Sequence, residues 1–289
     1  MRKSHIAFIV ADAAARCLSR RWCYRLSRVA SDWFFRCASD GRRAVMSNIG
    51  RIRRFAGCPA GEEELFALAR ETFRNFGKYL ADFFWFTGPR AGLLAGLVHV
   101  SDRSRLQLDR ALAGGRGVLG VTAHLGNWEA GPAVLAGMGM KVNAVVMPME
   151  DRRTDRLFQA RRRSRGINVI SIGSAARDSV AALRRGEIVA LVGDRDYTRH
   201  SARFEFMGAP ASFPVGPAKI CSLSGAPILA GFLVRVANDS FEMLLHDPIV
   251  PRRGMPWQEI QAELLRILED GIRSYPTQWF IFDDFWACP

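Results

Sequence analysis

The sequence predicts an α/β fold, with a mixed, mostly parallel central sheet, helices on both of its faces, and a helical region ahead of it. Three observations carry this. From residue 114 onward, short apolar runs of β type alternate with helical stretches, and strand–helix–strand repetition builds a parallel sheet covered on both sides. The first hundred residues show helical spacing instead. The composition, 49% hydrophobic with 19 Phe and 7 Trp in 289 residues, supplies a sizeable core and excludes a disordered chain.

The chain opens on MRKSHIAFIVADAAARCLSRR, in which charge precedes an apolar stretch. Asp12 interrupts that stretch and more Arg follows where a cleavage site would stand, so it reads as a retained amphipathic helix. Ile6, Ile9, Val10, Ala13, Ala14 and Cys17 recur at helical spacing, with Arg16, Arg20 and Arg21 placed to meet headgroups; packing of the same face on the core is the alternative. Glu62 to Glu64 form an acidic first turn after the Pro59–Gly61 break, and Leu65, Leu68, Ala69, Phe73, Phe76 and Leu80 continue that helix as an apolar stripe. Residues 83–100 are nearly all apolar but are cut by Gly88 and Pro89, so they do not make one spanning helix. Phe83 to Phe86 are expected in the core rather than in lipid. The expected strands are 117–122, 141–147, 168–172, 187–193, 227–234 and 241–246, and the helices between and after them 129–138, 152–165, 175–185, 214–224 and 257–274. Residues 1–100 thus form a helical, basic, membrane-apposed region and 101–289 one continuous α/β core.

Charge placement narrows the partners. Residues 1–60 hold thirteen Lys/Arg against Asp12, Asp32 and Asp40, which leaves +10 of the net +13 in the first fifth of the chain. Such a region suits a polyanion: nucleic acid or anionic membrane headgroups. No nucleic-acid module is recognisable, and nucleic acid is not the expected partner. Cys17, Cys23, Cys37, Cys58, Cys221 and Cys288 include no C-x-x-C and no neighbouring His, which suggests reduced thiols on the cytoplasmic side rather than zinc or disulfides.

GRGVLG at 115–120 satisfies G-x-G-x-x-G, but it enters a strand instead of opening a helix, and no acid lies near Leu135, so no dinucleotide cofactor is expected. G-x-S-x-G, Walker and H-E-x-x-H patterns are absent. The strongest signal is VTAHLGNWEAGPAVLAG, residues 121–137. His124 follows an apolar strand, and a helix begins near Trp128; functional groups gather at such strand-to-helix turns. On a continuous helix His124 and Glu129 would sit about 140° apart, so they meet only if the turn residues Gly126 and Asn127 redirect the chain. The carboxylate would then fix the imidazole tautomer and leave the other ring nitrogen as a general base; a structural His beside a solvated Glu is the alternative. Arg152, Arg153, Arg156, Arg161, Arg162, Arg163 and Arg165 crowd one stretch, where Arg forks suit phosphate. Asp194 and Asp196 follow a strand and would position Arg side chains or substrate, without the neighbours a metal needs. Phe204, Phe206, Phe213 and Pro214 would line an acyl slot or fill the core.

With these residues in view, the chain resembles the lipid A biosynthesis acyltransferases, the late lauroyl/myristoyl transferases of the lysophospholipid acyltransferase superfamily. AHLGNWE resembles the H-x-x-x-x-E/D block, GDRDY the D-x-D-Y-type block, FMGAPASFPVGPAKICSLSGAPILAGFLVR the stretch after it, and PTQWFIFDDFW the P-x-Q-W ending. The resemblance implies a glycerol-3-phosphate acyltransferase-like core, with His124 as general base and Glu129 as its partner. It implies substrate contacts at Arg161 or Arg163 and at Asp194, and Asp196 and Asn127 are carried as further candidates. It further implies direct transfer from acyl carrier protein to a hydroxyl of a lipid A precursor or related anionic glycolipid, with no metal or cofactor. The setting would be the cytoplasmic face of the cell inner membrane, peripheral or monotopic through the N-terminal region. Acyl-CoA-dependent phosphatidylinositol mannoside acylation and a non-catalytic lipid- or nucleic-acid-binding protein are the rival readings.

Overall fold

The structure is a computed structural model describing residues 2–196 and 200–287; Tyr197 of the GDRDY stretch and Cys288 lie outside the described residues. Four helices come first: α1 (Arg2–Cys17), α2 (Arg20–Cys37), α3 (Ser39–Phe55) and α4 (Glu62–Trp85). A 3-10 segment, Gly88–Leu97, leads into β1 (Val98–Val100) and α5 (Asp102–Leu112). Then follow β2 (Val118–Thr122), α6 (Ala130–Gly137), β3 (Val142–Val146), α7 (Arg152–Arg163), β4 (Ile167–Ser171), α8 (Ala175–Arg184) and β5 (Ile188–Val192). The hairpin β6 (Ser201–Phe206) and β7 (Ala209–Pro214) precedes α9 (Gly216–Ser224), β8 (Ile228–Arg235), β9 (Phe241–Leu245) and α10 (Trp257–Ser274).

The seven-stranded sheet runs β1-β9-β8-β2-β5-β3-β4, and every neighbouring pair is parallel except β8 with β9. Apolar β-branched runs such as VLGVT and IVALV make its centre because strands covered on both faces bury consecutive side chains. Leu119, Val121, Val189 and Ala230 point to one face, against α8, α9, α10, the hairpin and the C-terminal residues. Val118, Ile188, Val142 and Leu229 point to the other, against α5. Phe206 and Phe213 are fully buried in the first cluster, so of the two readings open for them the core is the one realised.

The edge strand β1 already begins at Val98, inside the first hundred residues. The N-terminal helices are bound to the sheet through Asp82 of α4, which has no exposed side-chain surface. It accepts from Tyr24 Oη (2.6 Å) and Arg20 Nε (3.1 Å) of α2, and pairs with Arg235 of β8. Phe83, Phe84 and Phe86 are buried, as the core expectation required. Arg165, itself buried, donates to the carbonyls of Phe83 and Phe86 at the end of α4, where unsatisfied carbonyls need a cation.

In α1 the core contact is made by Phe8, Ala11 and Ala15, with Phe8 against Phe158 at 5.2 Å between ring centroids. The stripe Ile6, Ile9, Val10 and Ala13 is exposed. On α2, Trp22, Leu26, Val29 and Trp33 are likewise exposed at spacings of four, three and four, beside Arg21, Arg25, Arg28 and Arg36. Among the described residues no helix is long and apolar enough to cross a membrane.

Candidate active site

The site is built where β2 and β5 end side by side. Thr122 pairs with Val192, so the residues that follow each strand, His124 and Asp194, emerge together. The Asp194 side chain has no exposed surface; its Oδ1 lies 2.7 Å from His124 Nδ1, and its Oδ2 accepts from the His124 amide (2.9 Å) and from the Trp279 indole N–H (2.9 Å). Burial alone would raise the Asp194 carboxyl, but the facing His124 ring and these hydrogen bonds outweigh it and hold it below the usual carboxylate range. An ionised Asp194 has only acceptors to offer, so Nδ1 carries a proton, and in the neutral ring Nε2 is the nitrogen with the lone pair. With 18% of its side chain exposed, the imidazole is reachable.

The loop carrying His124 is held on both sides. Gly126 N–H donates to Gln278 O (2.9 Å), Asn127 N–H to Leu233 O (2.7 Å), and Phe280 N–H to His124 O (2.8 Å). Gly126 has φ +64°, and a Cβ there would stand 2.3 Å from Leu233 O, so only glycine lets the loop lie this close to β8. Gln278 fixes the other wall through Arg235, whose amide N–H donates to its Oε1 and whose carbonyl accepts from its Nε2, both at 2.8 Å. Trp128 spans the gap between the His124 ring (5.1 Å between centroids) and Tyr79 of α4, stacked at 4.1 Å.

The expectation for Glu129 is corrected: its carboxylate goes to Arg162, whose Nε lies 3.2 and 3.0 Å from the two oxygens and whose Nη2 lies 2.5 Å from Oε1. The chain does turn at Gly126 and Asn127, but Glu129 stands directly before α6, facing α7 rather than His124. Asp194, expected to contact substrate, is the imidazole's partner. Asn127, expected to contact substrate, is buried; its Oδ1 accepts from Ala130 N–H at the start of α6 (3.2 Å), and its Nδ2 faces Asp82. Arg161 donates to Asp12 of α1 at 2.6 Å, joining α7 to α1, and the exposed Arg163 reaches Gln159 Oε1 at 3.4 Å. Asp196 is half-buried two residues beyond Asp194. Arg162 was legible in principle. Thr154, Phe158 and Arg162 recur every four residues and form the buried side of α7, which leaves Arg161 and Arg163 on its flanks. Trp279 was legible only as part of the P-x-Q-W ending, and its role was not, because its partner is 85 positions away. No group of three or more His, Cys, Asp or Glu among the described residues is arranged to hold a metal ion.

Next to His124, Thr122 and Trp128 belong to the lining of an apolar cleft. Val118, Gly120 and Thr122 of β2, Ile188 and Ala190 of β5, and Leu229, Gly231 and Leu233 of β8 form its bed. Trp128 and Gly131, Pro132 and Leu135 around α6 roof it, and Leu108 of α5 stands at its inner end. Its apolar lining suits a hydrocarbon chain.

Comparison with known proteins identifies relatives of the chain. A phosphatidylinositol mannoside acyltransferase of Mycobacterium tuberculosis (strain ATCC 25618 / H37Rv) is 32% identical over 131 residues, 42% of this chain; the match spans 40% of the length of that relative. The protein of that name from Mycolicibacterium smegmatis is 24% identical over 226 residues, 76% of this chain and 72% of its own. The lipid A biosynthesis palmitoleoyltransferase of Escherichia coli (strain K12) is 30% identical over 225 residues, 75% and 70% of the two chains. Residues 4–287 match the model of the bacterial lipid A biosynthesis acyltransferase family, and the chain belongs to that family.

Proposed function

We propose that the protein is an O-acyltransferase that moves a fatty acyl group from a thioester to a hydroxyl of an anionic glycolipid. One observation carries the reading: a His–Asp pair with a free imidazole nitrogen adjoins, through Thr122 and Trp128, an apolar cleft. In the proposed reaction Nε2 of His124 takes the acceptor hydroxyl proton while the oxygen bonds to the thioester carbon. The C–S bond then breaks and the leaving thiolate recovers a proton from the imidazolium. Asp194 holds the tautomer and stabilises the imidazolium. The Glu129–Arg162 pair acts at one remove, by fixing the start of α6 against α7.

Acyl carrier protein is the proposed donor, and a lipid A precursor the proposed acceptor; phosphatidylinositol mannoside is the alternative acceptor and acyl-CoA the alternative donor. The proposed location is the cytoplasmic face of the inner membrane, supported by the exposed apolar stripes of α1 and α2 flanked by Arg. A helix with Trp and Leu on one side and Arg beside them lies in an anionic lipid surface. The test is purified protein with acyl carrier protein and acyl-CoA thioesters, lipid A precursor and phosphoinositide-mannoside acceptors, read by mass spectrometry. The acylated glycolipid should form and be lost in His124→Ala; turnover retained in that variant contradicts the mechanism.

A further inference from the structure

The cleft has a graded bed that bears on which acyl chains it takes. Registry across the sheet sorts the side chains on this face into rows. Val142, Ile188 and Val118 are aligned in the inner row, Ala144, Ala190, Gly120 and the bulkier Leu229 of β8 in the middle row, with Val192 and Thr122 outermost beside His124. The inner row is buried, while Ala144, Ala190 and Gly120 of the middle row and the outer row keep exposed surface, so the cleft enters from the His124 end and stops at Val118 and Ile188, where Leu108 closes it, with Leu229 as its wall on the β8 side of Gly120. At about 3.3 Å per residue the bed runs about 13 Å from Thr122 to Val118, with Gly120 near the midpoint.

Across β5 and β2 the middle row is therefore where passage depends on small side chains, beside the Leu229 wall. Gly120 is not required by the backbone: its φ is not positive, and a Cβ there would find nothing nearer than Val189 O at 3.7 Å. A strand centre disfavours glycine, which gives up side-chain packing and chain entropy. An open passage explains it. Ala190, aligned with Gly120 on β5, keeps the neighbouring position equally low.

We infer that Gly120, with Ala190 beside it, sets the length of acyl chain the protein accepts, by leaving the inner half of the cleft open to the chain's methyl end. This rests on the acyltransferase reading and adds the residue that determines donor length. Larger side chains at Gly120 would cut the usable depth by about half, about 7 Å or the span of five or six zigzag C–C bonds. Each methylene left in water costs about fourfold in affinity.

The experiment measures binding of saturated acyl-CoA thioesters, from octanoyl to stearoyl, by calorimetry with wild type, Gly120→Ala, Gly120→Val and Leu108→Ala, and transfer from the same donors in parallel. Thermal melting confirms that each variant is folded; Gly120→Ala is the variant the backbone accommodates without displacement. In wild type, affinity should rise with chain length to a limit. Gly120→Val should lower that limit by about four to six carbons, Gly120→Ala by fewer, and Leu108→Ala should raise it. A limit unmoved in folded variants, or a uniform loss at every length, overturns the inference. Binding that shifts as described without transfer to any acceptor would leave the length determinant standing and count against the acyltransferase reading.

Discussion

Replacing Asp194 with asparagine changes the group facing His124 while keeping its size, and the structure dictates how the amide must sit. The Oδ2 position receives two N–H donors, from the His124 backbone and the Trp279 indole, whereas the Oδ1 position faces only Nδ1. The amide oxygen therefore takes the Oδ2 position and the NH2 group turns toward Nδ1. To accept that bond, Nδ1 must give up its proton, which moves to Nε2, and the imidazole can then no longer act as a base toward a hydroxyl. A wrong-tautomer change of this kind lowers kcat by about 10^4 in a serine-protease triad, and a loss of 10^3 to 10^4 is expected here. Stability should fall by about 1–3 kcal/mol, the range for a buried hydrogen bond made imperfect. The assay is turnover of a thioester with a glycolipid acceptor, with nitrogen NMR of the imidazole reporting the tautomer. Activity within tenfold of wild type, or an unchanged tautomer, would refute the reasoning.

Arg162→Met should destabilise the protein by about 3–5 kcal/mol in urea titrations, because it strands the Glu129 carboxylate at a site where both partners are nearly buried; adding Glu129→Gln should recover most of that loss. The Asp194 pKa is lower in the folded than in the unfolded chain, so its stabilisation is complete above the unfolded value of about 4 and disappears as pH falls through the folded one. The stability gap between wild type and Asp194→Asn should thus close as pH falls into the acid range, as denaturant titrations at each pH will read. Trp22→Ser combined with Trp33→Ser should weaken sedimentation with anionic liposomes while leaving the melting temperature near that of wild type, since both rings are solvent-facing; equal sedimentation would place the lipid contact elsewhere. Alkylation of the native protein should mark Cys17, Cys37 and Cys58 and spare Cys221, whose thiol burial pushes up to about 12, as peptide mapping will show.

Most of the sheet was legible because its strands are apolar runs bounded by Gly, and the six expected strands appear within a residue or two of their expected ends. The three-residue β1 is too short to show a period, and the hairpin reads as SARFEF and APASFP, where Pro and Ala disguise the alternation. The antiparallel setting of β9 is made by the tight 237–239 connection, with Asn238 and Asp239 at positive φ. His124 could be read from its place after a strand. Its partner could not, because Glu129 is near in sequence while Asp194 is 70 positions away and arrives through strand pairing. Local spacing says which groups can meet on one segment, and here sheet registry decides which do. The alternation of β2 carried a further signal, since Gly120 and Thr122 fall on one face of an otherwise bulky strand.

Whether Asp194 acts through His124 is tested most directly by steady-state turnover of wild type, His124→Ala, Asp194→Asn and the double variant under one set of conditions. Residues working as one unit are not additive. The account predicts that the double variant is as slow as His124→Ala and no slower. A double variant slower by the product of the two single losses, or an Asp194→Asn enzyme as fast as wild type, would contradict it.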